Sequence, residues 1–118
     1  MTAATYDLII EQGATLQQTF YWTDSAGAAV NLTGYTAQMM VKANYADSGA
    51  VALLTLTSAG GTIVLTAGTG KIDLLVPPAT TQALTFTKAI YDLELTSAGG
   101  VVTRLVQGNV FLSKEVTR

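Results

Sequence analysis

The sequence predicts an all-β chain, an antiparallel immunoglobulin-like β-sandwich with one short helix near residues 77–84. Three observations predict it. Apolar and polar residues alternate with the two-residue period of half-buried strands, as in Tyr91, Leu93 and Leu95 against Asp92, Glu94 and Thr96. Glycine-rich turns separate the alternating runs at short intervals. One segment, opening with Pro77-Pro78, interrupts the β pattern, because proline stops a strand ladder and suits the first turn of a helix. A small closed barrel satisfies the same alternation and stands as the second architecture.

Each element follows from its own residues. Tyr6, Leu8 and Ile10 alternate with Asp7 and Glu11 until Gly13, which predicts a first strand over 5–12. Leu16, Gln18, Phe20 and Trp22 share one face of a second strand, and Asp24-Ser25-Ala26-Gly27 turns the chain. Residues 28–34 approach the core through Val30 and Leu32. Tyr35, Ala37, Met39 and Val41 then mark the buried face of a third main strand. The polar segment 43–50 reads as the longest surface loop.

Strands follow at 51–57, 62–66 and 71–76, joined by Ser58 to Gly61 and by Ala67-Gly68-Thr69-Gly70. Such short connections predict meander-like pairing. Residues 89–118 read as a hairpin around Ser97-Ala98-Gly99-Gly100, with a bulge or bend at Gly108 before a last strand holding Val110 and Leu112. The pentapeptide Thr-Ser-Ala-Gly-Gly occurs at both 57–61 and 96–100, each time after a strand, which points to one turn chemistry used twice.

The 118 residues suit one domain, 1–118. Only 12% are charged and 49% are hydrophobic, where a soluble protein carries about 25% charged residues. Either Thr, Ser and Gly coat the surface, or partner chains cover part of it. Net charge is −2, and the basic residues Lys42, Lys71, Lys88, Arg104, Lys114 and Arg118 are scattered, so no nucleic-acid partner is expected. Without cysteine there is no disulfide and no thiolate metal site. The N-terminus lacks the basic start and apolar run of a signal peptide, and no apolar stretch approaches about 18 residues. The expectation is synthesis in the cytoplasm with no membrane partner.

Catalysis needs a proton-transfer group of suitable pKa, and the chain has neither histidine nor cysteine. Asp92 and Glu94 share a strand face, with Asp73 a possible third carboxylate, but alternating carboxylates on a wet face usually serve solubility. Asp47 alone in the 43–50 loop makes a poor calcium site, and Gly68-Thr69-Gly70-Lys71 lacks the spacing and helix of a phosphate loop. No catalytic residue, cofactor or metal ligand is therefore assigned. Phe20, Tyr21 and Trp22 would form a sugar-stacking platform only if exposed, and alternation turns Phe20 and Trp22 inward. Edge strands at 62–66 and 110–116 are the stronger candidates, since unpaired backbone accepts an added strand.

Three stretches resemble a small structural protein of tailed-bacteriophage virions. They are the opening YDLIIEQGATLQQTFYWTDSAGAAVNLTGYTAQMMVK at 6–42, the region near 77–84, and IYDLELTSAGGVVTRLVQGNVFLSKEVTR at 90–118. They are similar to the N-terminal β-sandwich domain of phage baseplate upper proteins. The resemblance implies a non-enzymatic adaptor of the tail, baseplate or fibre-attachment region, located in the virion and assembled in the host cytoplasm. Its implied partners are other virion proteins and further copies of itself. Head decoration or a head-to-tail connector is the alternative, and a carbohydrate-binding module is the alternative of another class. The expected interface lies in the N-terminal arm, the 43–50 loop and the last strand: Thr2, Thr5, Asn44, Tyr45, Asp47, Val110, Leu112, Val116 and Arg118.

Overall fold

A computed structural model describes residues 4–43 and 52–114, which form two facing β-sheets. The strands are β1 (Ala4–Thr5), β2 (Leu8–Glu11), β3 (Leu16–Tyr21), β4 (Thr36–Lys42), β5 (Leu54–Thr57), β6 (Ile63–Thr66), β7 (Lys71–Val76), β8 (Lys88–Thr96) and β9 (Val102–Ser113). A 3-10 turn at Ala67–Thr69 joins β6 to β7, and α1 (Pro78–Gln82) joins β7 to β8. The helix begins where Pro78 suits its first turn, inside the predicted 77–84 window.

The larger sheet has the order β1-β9-β8-β4-β5, with β2 also on β9, and the smaller has the order β3-β7-β6. With β3, β4 and β5 as strands B, C and C′, and β6 to β9 as D to G, this is the immunoglobulin-like arrangement of GFCC′ over BED. Pairing is antiparallel except at the N-terminus, where β1 and β2 run parallel to β9. The meander expectation fails between β5 and β6: they belong to different sheets, and the turn between them carries the chain across the sandwich.

Alternation places the core. Ala89, Tyr91, Leu93 and Leu95 of β8 are buried, as are Ala37, Met39 and Val41 of β4, and they meet Ile72, Leu74 and Val76 of β7. Phe20, Trp22 and Val30 pack against the rim of that cluster, and Leu32 lies within it. Thr81 of α1 is fully buried; its hydroxyl donates to the Ala14 carbonyl at 2.7 Å and accepts from the Gly13 amide at 3.1 Å. Those bonds pin the helix to the turn between β2 and β3.

The bulge in β9 lies at Leu105, not at Gly108. Leu93 pairs with Val106 and Glu94 with Arg104, so Leu105 is the extra residue, and Leu105 and Val106 are both buried. Gly108 serves a different purpose. A Cβ there would stand 2.8 Å from the Tyr6 carbonyl carbon and closer still to its oxygen, so only glycine lets the N-terminal strand cross at this height.

Candidate interaction surface

The N-terminal strand is fastened at that crossing. The Tyr6 amide donates to the Gln107 carbonyl at 2.9 Å, and the buried Tyr91 hydroxyl donates to the Tyr6 carbonyl. Asp7 Oδ1 accepts from the Asn109 amide at 3.0 Å. Burial, then the charge of Asp7, pushes the Tyr91 phenol well above its usual pKa, because both oppose a phenolate. β1 and β2 keep one register on β9, Ala4 with Val106 and Leu8 with Val110. They cover the edge that β9 would otherwise expose.

That cover corrects two expected interface residues. Val110 and Leu112 are core residues, 0% and 6% exposed, and β9 is an inner strand paired on both sides, so their side chains cannot meet a partner. Thr5 is exposed on β1. Thr2, Asn44, Tyr45, Asp47, Val116 and Arg118 lie outside the described residues. The other expected edge is present: β6 is a terminal strand of the smaller sheet.

The carboxylates do not converge. Asp92 and Glu94 face outward on β8, where Asp92 lies 3.5 Å from the Arg104 guanidinium. Asp73 sits on β7 in the other sheet, accepting from the Thr19 hydroxyl at 2.5 Å and lying 3.8 Å from Lys71. The suggested third partner is therefore on the wrong sheet. Among the described residues no three metal-ligating side chains cluster. Gly68 to Lys71 is a turn, with Gly70 at φ 63° beneath the Trp22 carbonyl. Trp22 is half-buried and meets Tyr35 edge-to-face at 5.7 Å.

The outward face of the larger sheet carries a feature that strand alternation does not require. Four strands of this sheet contain three consecutive apolar residues: Leu8-Ile9-Ile10, Met39-Met40-Val41, Ala89-Ile90-Tyr91 and Val110-Phe111-Leu112. In each, the outer two enter the core and the middle one points away from it. Ile9 is 66% exposed and Phe111 40%, with Ile90 and Met40 half-buried. Ile9 pairs directly with Phe111, and the register sets Ile90 diagonal to Phe111 and Met40 diagonal to Ile90. The result is one apolar stripe slanting across β2, β9, β8 and β4. The signal was present in those triplets, but joining them needs the strand order.

No family model matches this sequence, and no curated protein matches it. Among solved structures, the chain is similar to one of the extracellular domains of the voltage-gated sodium channel beta4 subunit, described as parallel homodimers. Identity is 8%, the TM-score is 0.45, and the match covers 98% of this chain and 97% of that one. The immunoglobulin-like assignment rests on the strand order and not on that distant likeness.

Proposed function

We propose that this chain is a non-enzymatic structural protein of a bacteriophage virion, a β-sandwich module that docks onto other subunits in the tail, baseplate or fibre-attachment region. The observation that carries the docking role is the uncovered apolar stripe of Ile9, Phe111, Ile90 and Met40. A sheet face whose only task is solvation gains nothing from leaving Ile9 and Phe111 in water. The low charge content supports the same reading, since chains that are partly covered need fewer charges to stay soluble. The virion setting comes from the sequence resemblance across residues 6–42 and 90–118.

The sugar-binding reading is weaker, because Trp22 packs on Tyr35 and the core rim. The test is quantitative mass spectrometry of gradient-purified particles, dissociated stepwise into heads and tails. Stoichiometric recovery with tails is the expected result. Recovery with heads selects the decoration or connector role, and absence from both fractions overturns the virion proposal.

A further inference from the structure

The charges beside the apolar stripe are sorted by sign. On one flank stand Lys88, whose ammonium lies 5.8 Å from the centre of the Phe111 ring, and Lys42, which pairs with Ile90. On the other flank stand Asp92 and Glu94, opposite Met40 and Gln38. Arg104 offsets Asp92 in part, at 3.5 Å, and leaves Glu94 as the excess charge. Glu11 lies past the Ile9 end of the stripe, opposite Ser113, the residue before Lys114. One flank is thus net positive and the other net negative.

We infer that this stripe is covered by the same stripe of a second copy of the chain, in a two-fold dimer whose axis runs along the stripe. The inference rests on the assembly role proposed above and names one of its contacts. Rotation by half a turn about that axis keeps positions along the stripe and exchanges its flanks. Ile9, Phe111, Ile90 and Met40 then meet their own copies, while the lysine flank of each chain faces the acidic flank of the other. A two-fold axis perpendicular to the stripe in the same plane would set lysines on lysines, and like charges across an interface are costly. The charge order therefore selects one of the two face-to-face arrangements.

The geometry has a further consequence. From Ile9 to Met40 the stripe crosses three strand spacings of about 4.8 Å while advancing about four residues of roughly 3.3 Å each, a slant near 45° to the strands. Rotation about such an axis crosses the strands of the two copies at close to a right angle, the orthogonal class of sheet packing.

The test uses the full chain in sedimentation equilibrium, with Lys42→Glu, Asp92→Lys and the double variant, since these two residues stand on opposite flanks at the same height along the stripe and so meet across the axis. Circular dichroism confirms the fold of each. The expected result is a dimer that weakens with added salt. Each single reversal should raise the dissociation constant by at least about tenfold, because it sets like charges together at two symmetry-related contacts, and the double should restore it. A monomer at every attainable concentration, or a dimer indifferent to both reversals, overturns the inference. If the chain is monomeric but folded Ile90→Asp protein is lost from particles, the stripe belongs to another virion protein. In that case the self-contact fails while the docking role stands.

Discussion

Gly108→Ala isolates the crossing of the N-terminal strand over β9. The added methyl would stand 2.8 Å from the Tyr6 carbonyl carbon, closer still to its oxygen, and 3.1 Å from Asp7 Oδ1. The first two obstacles are backbone, so no side-chain rotation relieves them. If the strand stays, overpacking costs about 1–3 kcal/mol. If it retreats, the Tyr91 hydroxyl loses the Tyr6 carbonyl, an unsatisfied buried group worth about 1–3 kcal/mol. Retreat also exposes part of Leu8 and Ile10, which are 1% and 0% exposed, at about 25 cal/mol per Å². The combined loss should be about 2–4 kcal/mol. Urea unfolding followed by circular dichroism and by Trp22 fluorescence measures it. Gly99→Ala is the control, since its new methyl would meet nothing nearer than the Ser97 hydroxyl at 3.9 Å. Because Gly108→Ala and Tyr91→Phe act on the same carbonyl, their costs should not add. An unchanged midpoint for Gly108→Ala, or full additivity in the double variant, refutes the reasoning.

Other positions give sharp outcomes. Tyr91→Phe should cost about 1–2 kcal/mol at neutral pH. It should also remove an alkaline loss of stability: the unfolded chain ionises Tyr91 first, near its ordinary value of 10.0, while the folded phenol stays protonated to higher pH. The contribution of Tyr91 is thus intact below pH 10 and falls by about 1.4 kcal/mol per pH unit above it, read as the difference between wild type and variant in urea unfolding. Thr81→Val keeps the shape but strips the Gly13 amide and Ala14 carbonyl of their partner, for about 1–3 kcal/mol, with faster amide exchange at Gly13 as the local sign. Gly70→Ala forces a side chain into φ 63° and to within 3.1 Å of the Val30 carbonyl oxygen, so a loss of about 2–5 kcal/mol is expected in the same assay.

How far the fold can be read from the chain depends on whether a feature is local. β8 is legible because its alternation is unbroken from Tyr91 to Thr96, and α1 because Pro77-Pro78 both ends a strand and opens a helix. The repeated Thr-Ser-Ala-Gly-Gly shows where local information stops. In both copies the last glycine takes positive φ, 82° at Gly61 and 91° at Gly100, and its amide returns to the serine carbonyl, from Gly61 to Ser58 and from Gly100 to Ser97. The turns are alike and their outcomes differ. After Gly100 the chain pairs straight back, with the Val101 amide on the Ser97 hydroxyl, while after Gly61 it enters the other sheet and buries Ile63. The two serines also differ in partner: the Ser58 hydroxyl accepts from the Ala37 amide of β4, whereas the Ser97 hydroxyl accepts from within its own hairpin.

The surface follows the same division. Reading Val110 and Leu112 as interface assumed that a strand near the end of the sequence lies at the edge of a sheet. β9 loses its edge because the first strand returns to lie beside it, a pairing 102 residues apart that no local pattern encodes. The apolar triplets were visible throughout, yet a single outward Ile or Phe carries no message by itself. Meaning comes from register: Ile9 on Phe111, Ile90 one diagonal step away and Met40 one further turn the middle residues of four strands into one stripe, with lysines on one side and carboxylates on the other. A sequence pattern can state that a residue faces outward. Only topology can state what it faces outward beside, and a docking surface is made of that adjacency.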